Sequence, residues 1–149
     1  MLLVVDANVL FSFFKEVSVI REIVIDPDSK YSLELIAPAK LLSELDKHKA
    51  EICKKAKISE EEYKFPRDVL EVFIKTFPDK FWQDSESKAE DILSKHIKDI
   101  PYVALCLSFK NKGYKICIWS NEERLKALEK YGIKVYSTSE LLKELGLKQ

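Results

Sequence analysis

Met1-Leu2-Leu3-Val4-Val5-Asp6-Ala7-Asn8 opens the chain, and its reading decides the fold. Leu2 to Val5 is an apolar run without alternation, the pattern of a strand buried on both faces in a parallel sheet. Asp6-Ala7-Asn8 then turns into a helix that carries Val9, Leu10, Phe13 and Phe14 at helical spacing. A second short helical stretch continues through Val17, Ile20, Ile23 and Val24 until Asp26-Pro27-Asp28-Ser29 breaks it. With no basic segment before the apolar run and an acid directly after it, this start does not read as a secretory signal. Asp6 falls at the carboxyl end of the first strand, the edge at which open parallel sheets bind ligands.

The same grammar repeats downstream. Leu33 to Ala37 reads as a second strand, and Pro38 suits the first turn of a helix running to about Ala56. That helix carries Leu41, Leu42, Leu45, Ile52, Cys53 and Ala56 as an apolar stripe, with Glu44 beside it. Residues 59–97 read as a helical arm: Ser59 to Glu62 and Ser87 to Glu90 match capping boxes, while Phe65-Pro66 and Phe77-Pro78 interrupt the pattern. Phe73, Phe77, Phe81 and Trp82 give the arm more aromatic surface than a solvated connector needs, so it is expected to pack on the body or on a second copy. Asp99-Ile100-Pro101-Tyr102-Val103-Ala104-Leu105-Cys106-Leu107 predicts a buried helix ending near Asn111-Lys112-Gly113. Lys115 to Trp119 is a third strand, Ser120 to Tyr131 a helix, Ile133 to Tyr136 a fourth strand and Ser137 to Leu145 a closing helix. Strands alternating with helices predict an α/β fold with a mainly parallel sheet of four to five strands in one domain over residues 1–149.

Composition narrows the partners. At 149 residues, with 46% apolar and 34% charged side chains, the chain suits a soluble globular domain that buries about 68–70% of its unfolded surface. No apolar run approaches the roughly 20 residues of a membrane span, so a cytoplasmic protein is expected. Cys53, Cys106 and Cys117 lack a CxxC spacing and sit in apolar company, as reduced core thiols do. With 25 basic and 25 acidic residues, overall charge gives no argument for nucleic acid. A local one exists in Lys47, His48, Lys49, Lys54, Lys55 and Lys57, which a solvated helix face also explains.

Four acids stand at the seams between strands and helices: Asp6, Glu44, Asp99 and Glu122. On a parallel sheet these seams converge, and like charges brought together there call for a cation between them. Singly, Asp6 and Asp99 also read as helix caps. Ser120 and Glu123 match a capping box, which leaves Glu122 free. Glu44 beside an apolar stripe needs a partner, and His48 at i+4 is available. Acids without an obligatory His or Cys suit Mg²⁺ or Mn²⁺, hard cations that take oxygen ligands and activate water against a phosphodiester.

Val4-Val5-Asp6-Ala7-Asn8-Val9-Leu10, Leu42-Ser43-Glu44-Leu45, Asp99-Ile100-Pro101-Tyr102-Val103-Ala104-Leu105 and Ile118-Trp119-Ser120-Asn121-Glu122 together resemble the PIN-domain family in order, spacing and structural context. The resemblance implies a three-layer α/β/α nuclease fold and cleavage of RNA with Mg²⁺ or Mn²⁺ held by Asp6, Glu44, Asp99 and Glu122. It also implies supporting hydrogen bonds from Asn8 and Ser120, a protein antitoxin as partner, and a homodimer. Lys47, Lys49 and Lys54 are then the expected phosphate contacts.

One position departs from the family pattern, because the fourth acid is typically Asp and here it is Glu122. The extra methylene moves its oxygens by about an ångström, enough to loosen a near-octahedral site. A catalytically weak or inactive module that binds RNA or protein is therefore the alternative. A phospho-receiver would need adjacent acids after the first strand, and a haloacid-dehalogenase-like phosphatase would need Asp-x-Asp there. Asp6-Ala7-Asn8 meets neither requirement.

Overall fold

A computed structural model describes residues 1–26, 32–94 and 96–146. Five strands, β1 (Leu2–Val5), β2 (Glu34–Pro38), β3 (Ile74–Phe77), β4 (Ile116–Trp119) and β5 (Lys134–Tyr136), form one sheet in the order β3-β2-β1-β4-β5. Each neighbouring pair is parallel. The chain begins in the middle, builds outward to one edge through β2 and β3, then crosses to build the other side through β4 and β5. That reversal lies between β1 and β4, which is where a doubly wound sheet opens a crevice at its carboxyl edge. Leu3, Val4 and Val5 are fully buried, as an unalternating central strand requires.

Helices flank the sheet: α1 (Ala7–Leu10), α2 (Val19–Val24), α3 (Lys40–Lys47), α4 (Lys49–Ala56), α5 (Glu60–Phe73), α6 (Asp79–Trp82), α7 (Glu86–Leu93), α8 (Ile100–Asn111) and α9 (Thr138–Glu144). The helix expected after Asp99 is α8, buried all round from Ile100 to Ser108. It lies across β1, β2 and β4 with α6 and α7 on its other side, so it has no solvent face to make polar. No helix among the described residues is long and apolar enough to cross a membrane. Cys53 and Cys106 are buried and Cys117 half-buried, all with free thiols.

Several expectations are corrected. Residues 59–97 are not a helical arm, because they contain β3, an edge strand of the sheet paired with β2 from Leu35–Ile74 to Pro38–Phe77. The strand is short and half polar, and only Ile74 is fully buried, so it hides within helical surroundings. Pro38 ends β2 instead of opening a helix, and the next N–H, that of Ala39, donates to the Phe77 carbonyl at 2.8 Å. The helix expected to run to Ala56 is broken at His48, where the backbone leaves helical geometry between α3 and α4.

Pro66 lies inside α5 without ending it, forgoing one backbone hydrogen bond. Tyr63, stacked at 4.7 Å on Phe14, and the buried Leu70 hold that helix to the body. The Ser59 and Ser137 capping boxes form, but Ser87 lies within α7 and caps nothing. Val17 is largely exposed rather than part of a buried stripe. Of the expected break after Val24, Pro27, Asp28 and Ser29 lie outside the described residues. Most of the aromatic surface of 73–82 finds cover: Trp82 is buried, and Phe77 and Phe81 pack with Phe109, whose ring also meets Tyr114, while Phe73 stays exposed.

Candidate functional site

The carboxyl ends of β1 and β4 are adjacent, and the sheet ladder runs one step past each strand. Asp6 N–H donates to the Trp119 carbonyl at 3.0 Å, and Ser120 N–H to the Tyr136 carbonyl at 2.9 Å. This extension fixes where the two side chains meet. Ser120 Oγ donates to Asp6 Oδ2 at 2.7 Å and accepts from Glu122 N–H at 3.1 Å. Asp6 Oδ1 also accepts from Asn8 N–H at 3.4 Å, capping α1, so capping and cluster membership are one arrangement. Asn8 Nδ2 in turn donates to Glu122 Oε1 at 2.8 Å. Asn8 and Ser120 thus each hydrogen-bond to two of the acids, Asp6 and Glu122.

Asp99 does not cap α8, for its side chain makes no capping bond. Its Oδ2 accepts from Arg124 Nη2 at 2.6 Å, and Arg124 Nη1 lies 3.7 Å from Glu122 Oε2. The Ser120 to Glu123 capping box does not form either: residues 123–131 make a 3₁₀ segment with Glu122 at its N-cap. Ser120 spends its hydroxyl on Asp6 and Glu122 instead.

Glu44 joins from α3. Tyr102 O–H donates to its Oε2 at 3.3 Å, and Lys40 Nζ stands 2.8 Å from its Oε1. The lysine contact neutralises charge but is off the hydrogen-bond line, and Glu44 Oε1 is a buried oxygen with no hydrogen bond. His48 is not its partner. The break at His48 turns that ring toward Glu51, with Nδ1 3.5 Å from Oε2, and toward Phe11, 5.5 Å away.

Electrostatics tie these pieces into one site. Burial above all, with the charges of Asp99 and Glu122 added, holds the Asp6 carboxyl above its ordinary value against the Ser120 and Asn8 hydrogen bonds. Tyr102 keeps its proton well above the usual phenol range, first through burial and then through the fields of Glu44, Asp6 and Asp99. One phenol therefore senses three of the four acids. Among the described residues, no three Asp, Glu, His or Cys side chains stand ready-made around one ion. The carboxylates are instead met by the chain's own cations, Arg124 and Lys40.

A donor set made only of oxygens, one of them buried without a hydrogen bond, and a central carboxyl that resists ionising among its neighbours fit a hard divalent cation. Lys40, Tyr102 and Arg124 were not singled out by sequence reasoning. Lys40 is four residues before Glu44, Tyr102 three after Asp99 and Arg124 two after Glu122, so helical spacing from each acid could have found the first two. Of the lysines expected to meet phosphate, Lys47 and Lys54 are exposed, while Lys49 leans on the Tyr63 ring at 5.5 Å. A cleft of about 270 Å³ that includes Asn8, Ser12 and Lys15 adjoins the cluster through Asn8.

The raised Asp6 value carries a sign. Its contribution to stability is fully present below the unfolded carboxylate value and is lost as pH rises through the folded one. Asp6→Asn does not titrate, so in chelator it is expected to melt higher than the wild type near pH 7, with the gap closing toward about pH 4. Thermal melts of both proteins across that range check the sign, and a gap that widens on acidification contradicts it.

No curated protein matches the sequence at a significant level. A family model for the PIN domain matches residues 4–146, a span that takes in the end of β1, the acids after β1 and β4, Glu44 and the start of α8. PIN domains are generally nucleases and typically use divalent metal ions, which agrees with an all-oxygen donor set at this sheet edge. The chain belongs to the PIN-domain family.

Proposed function

We propose that this chain is a Mg²⁺- or Mn²⁺-dependent endoribonuclease that acts in the cytoplasm. Asp6, Glu44, Asp99 and Glu122 are the residues that would hold the metal, with Asn8 and Ser120 orienting two of them. The observation that carries the reading is the wiring of Asp6, a carboxyl 5% exposed, through Ser120 to Glu122 at the β1/β4 switch point. Bound there, a divalent ion supplies Lewis-acid polarisation of a phosphodiester and an activated water. The chain does the rest. Ser120 holds the Asp6 carboxylate in line, Asn8 fixes Glu122, and Tyr102 orients Glu44 through a proton it does not surrender. Exposed Lys47 and Lys54, with Lys49, would meet the phosphates of the RNA.

Cleavage of structured and unstructured RNA with Mg²⁺, Mn²⁺ and chelator tests this reading, with Asp99→Asn alongside. The expected result is metal-dependent cutting that the substitution removes and that Lys→Ala at 47, 49 and 54 weakens most at low salt, where phosphate contacts contribute most. Tyr102→Phe deletes only the hydroxyl that orients Glu44. It is expected to weaken Mn²⁺ binding by about 10–100-fold while changing stability by only about 1 kcal/mol. Calorimetry and a urea melt of the same variant separate the two effects.

A second reading has its own support. Glu122 stands where the family carries Asp, and its carboxylate is engaged by Asn8 and Arg124. On this reading the chain is a catalytically weak or inactive module that binds RNA or protein. Absence of cutting together with absent Mn²⁺ binding selects it. The proposal extends to partners of the kind small PIN proteins have, an antitoxin and a second copy of the chain. Phe65, 77% exposed, and Val72 place apolar surface on α5 for such a contact. Light scattering of the purified chain tests the dimer, and a monomer at all concentrations removes it.

A further inference from the structure

Arg124 is a cation that touches two of the four acids, Asp99 and Glu122, from the solvent side. Its side chain is 42% exposed, whereas that of Asp99 is 9% exposed. Nη2 serves Asp99 at 2.6 Å, and Nη1 reaches toward Glu122 at 3.7 Å. The grip is therefore split between two carboxylates. A bidentate fork on one of them would bind harder and leave less readily. Arg124 stands on a 3₁₀ segment whose neighbouring Leu125 is buried, so the backbone is anchored while the long side chain is free to swing into water. Asp99 has no such freedom, since its backbone leads directly into buried α8.

We infer that Arg124 is an exchangeable counter-ion for Asp99 and Glu122, one that a divalent cation must displace to reach those carboxylates. The inference rests on the metal-binding reading proposed above. Guanidinium and metal compete for the same oxygens, so the chain restrains itself when divalent cations are scarce. Whatever strengthens the Arg124 to Asp99 contact weakens metal binding, by linkage.

The test is calorimetric titration of Mn²⁺ into the full chain at low ionic strength, comparing wild type, Arg124→Gln and Arg124→Lys. Removing the guanidinium leaves a buried carboxylate uncompensated, so Arg124→Gln is expected to bind Mn²⁺ about tenfold more tightly than wild type. Arg124→Lys keeps the charge and is expected to stay near the wild-type affinity. If wild type binds and Arg124→Gln binds no better, the role of Arg124 is overturned while the metal reading survives. If neither binds, the metal reading fails and takes this inference with it. Should Arg124→Gln fold poorly, the wild type alone decides by guanidinium NMR. Its Arg124 N–H signals are expected to be protected from exchange in chelator and to lose that protection as Mg²⁺ saturates. Protection that persists at saturation overturns the inference.

Discussion

Asp6→Asn is expected to lower metal-dependent RNA cleavage by about a thousandfold or more, the several kcal/mol that a Lewis-acid site supplies to a phosphoryl transition state. The same substitution is expected to leave the fold intact and, in chelator near neutral pH, to raise its melting temperature. Both outcomes follow from one set of contacts. The carboxylate is buried, sits in the fields of Asp99 and Glu122, and is kept in place by Ser120 and Asn8. An amide has the same shape and carries no charge to repel; its one oxygen keeps the shorter Ser120 bond, and only the 3.4 Å bond from Asn8 N–H is given up. Function and stability therefore oppose each other at this residue. Initial cleavage rates and thermal melts of the two proteins give the comparison. Activity within tenfold of wild type would remove Asp6 from the metal site.

Trp119→Ala carries the largest expected cost in stability. Trp119 is fully buried in β4, opposite Val5 on one side and Tyr136 on the other, and its Nε1 donates to Thr138 Oγ1 at 3.0 Å. Truncation leaves a cavity beside the central strand and orphans that hydroxyl. The expected loss is about 3–5 kcal/mol, a large share of the roughly 5–15 kcal/mol that holds a domain folded. The effect reaches the site, because the Trp119 carbonyl accepts the Asp6 N–H and Ser120 follows directly. Urea denaturation measures the loss, with Trp119→Phe expected to recover most of it by refilling volume. A loss below about 1 kcal/mol would mean that the sheet does not depend on this packing.

How much of this was legible in the sequence depended on how strongly each segment insisted on its state. β1 and β4 are short apolar runs followed at once by polar residues, and a buried parallel strand has few other signatures. Asp6, Asp99 and Glu122 were found because they follow those runs or open an apolar helix. β3 was hidden because Ile74-Lys75-Thr76-Phe77 is an edge strand, half polar, and joined without a turn to a helix that tolerates Pro66. The break at His48 was equally silent, since Lys47-His48-Lys49 suits a helix surface. It decided the partner of Glu44, sending His48 to Glu51 and leaving Lys40 and Tyr102 to meet the carboxylate. Arg124 looked like an ordinary charge on a solvated face. Its contact with Asp99 spans a crossover of the chain, and no local pattern announces a pair so separated. Ser120 was read with the wrong neighbour, for the capping box with Glu123 competes with a bond to Asp6 that only the sheet can bring within reach.

The central claim is that these carboxylates bind a divalent cation, and Mn²⁺ titration of the wild type beside Asp6→Asn measures it most directly. Saturable binding by the wild type that Asp6→Asn abolishes is the predicted result. Absence of saturable binding by the wild type, or binding that Asp6→Asn leaves unchanged, would contradict it.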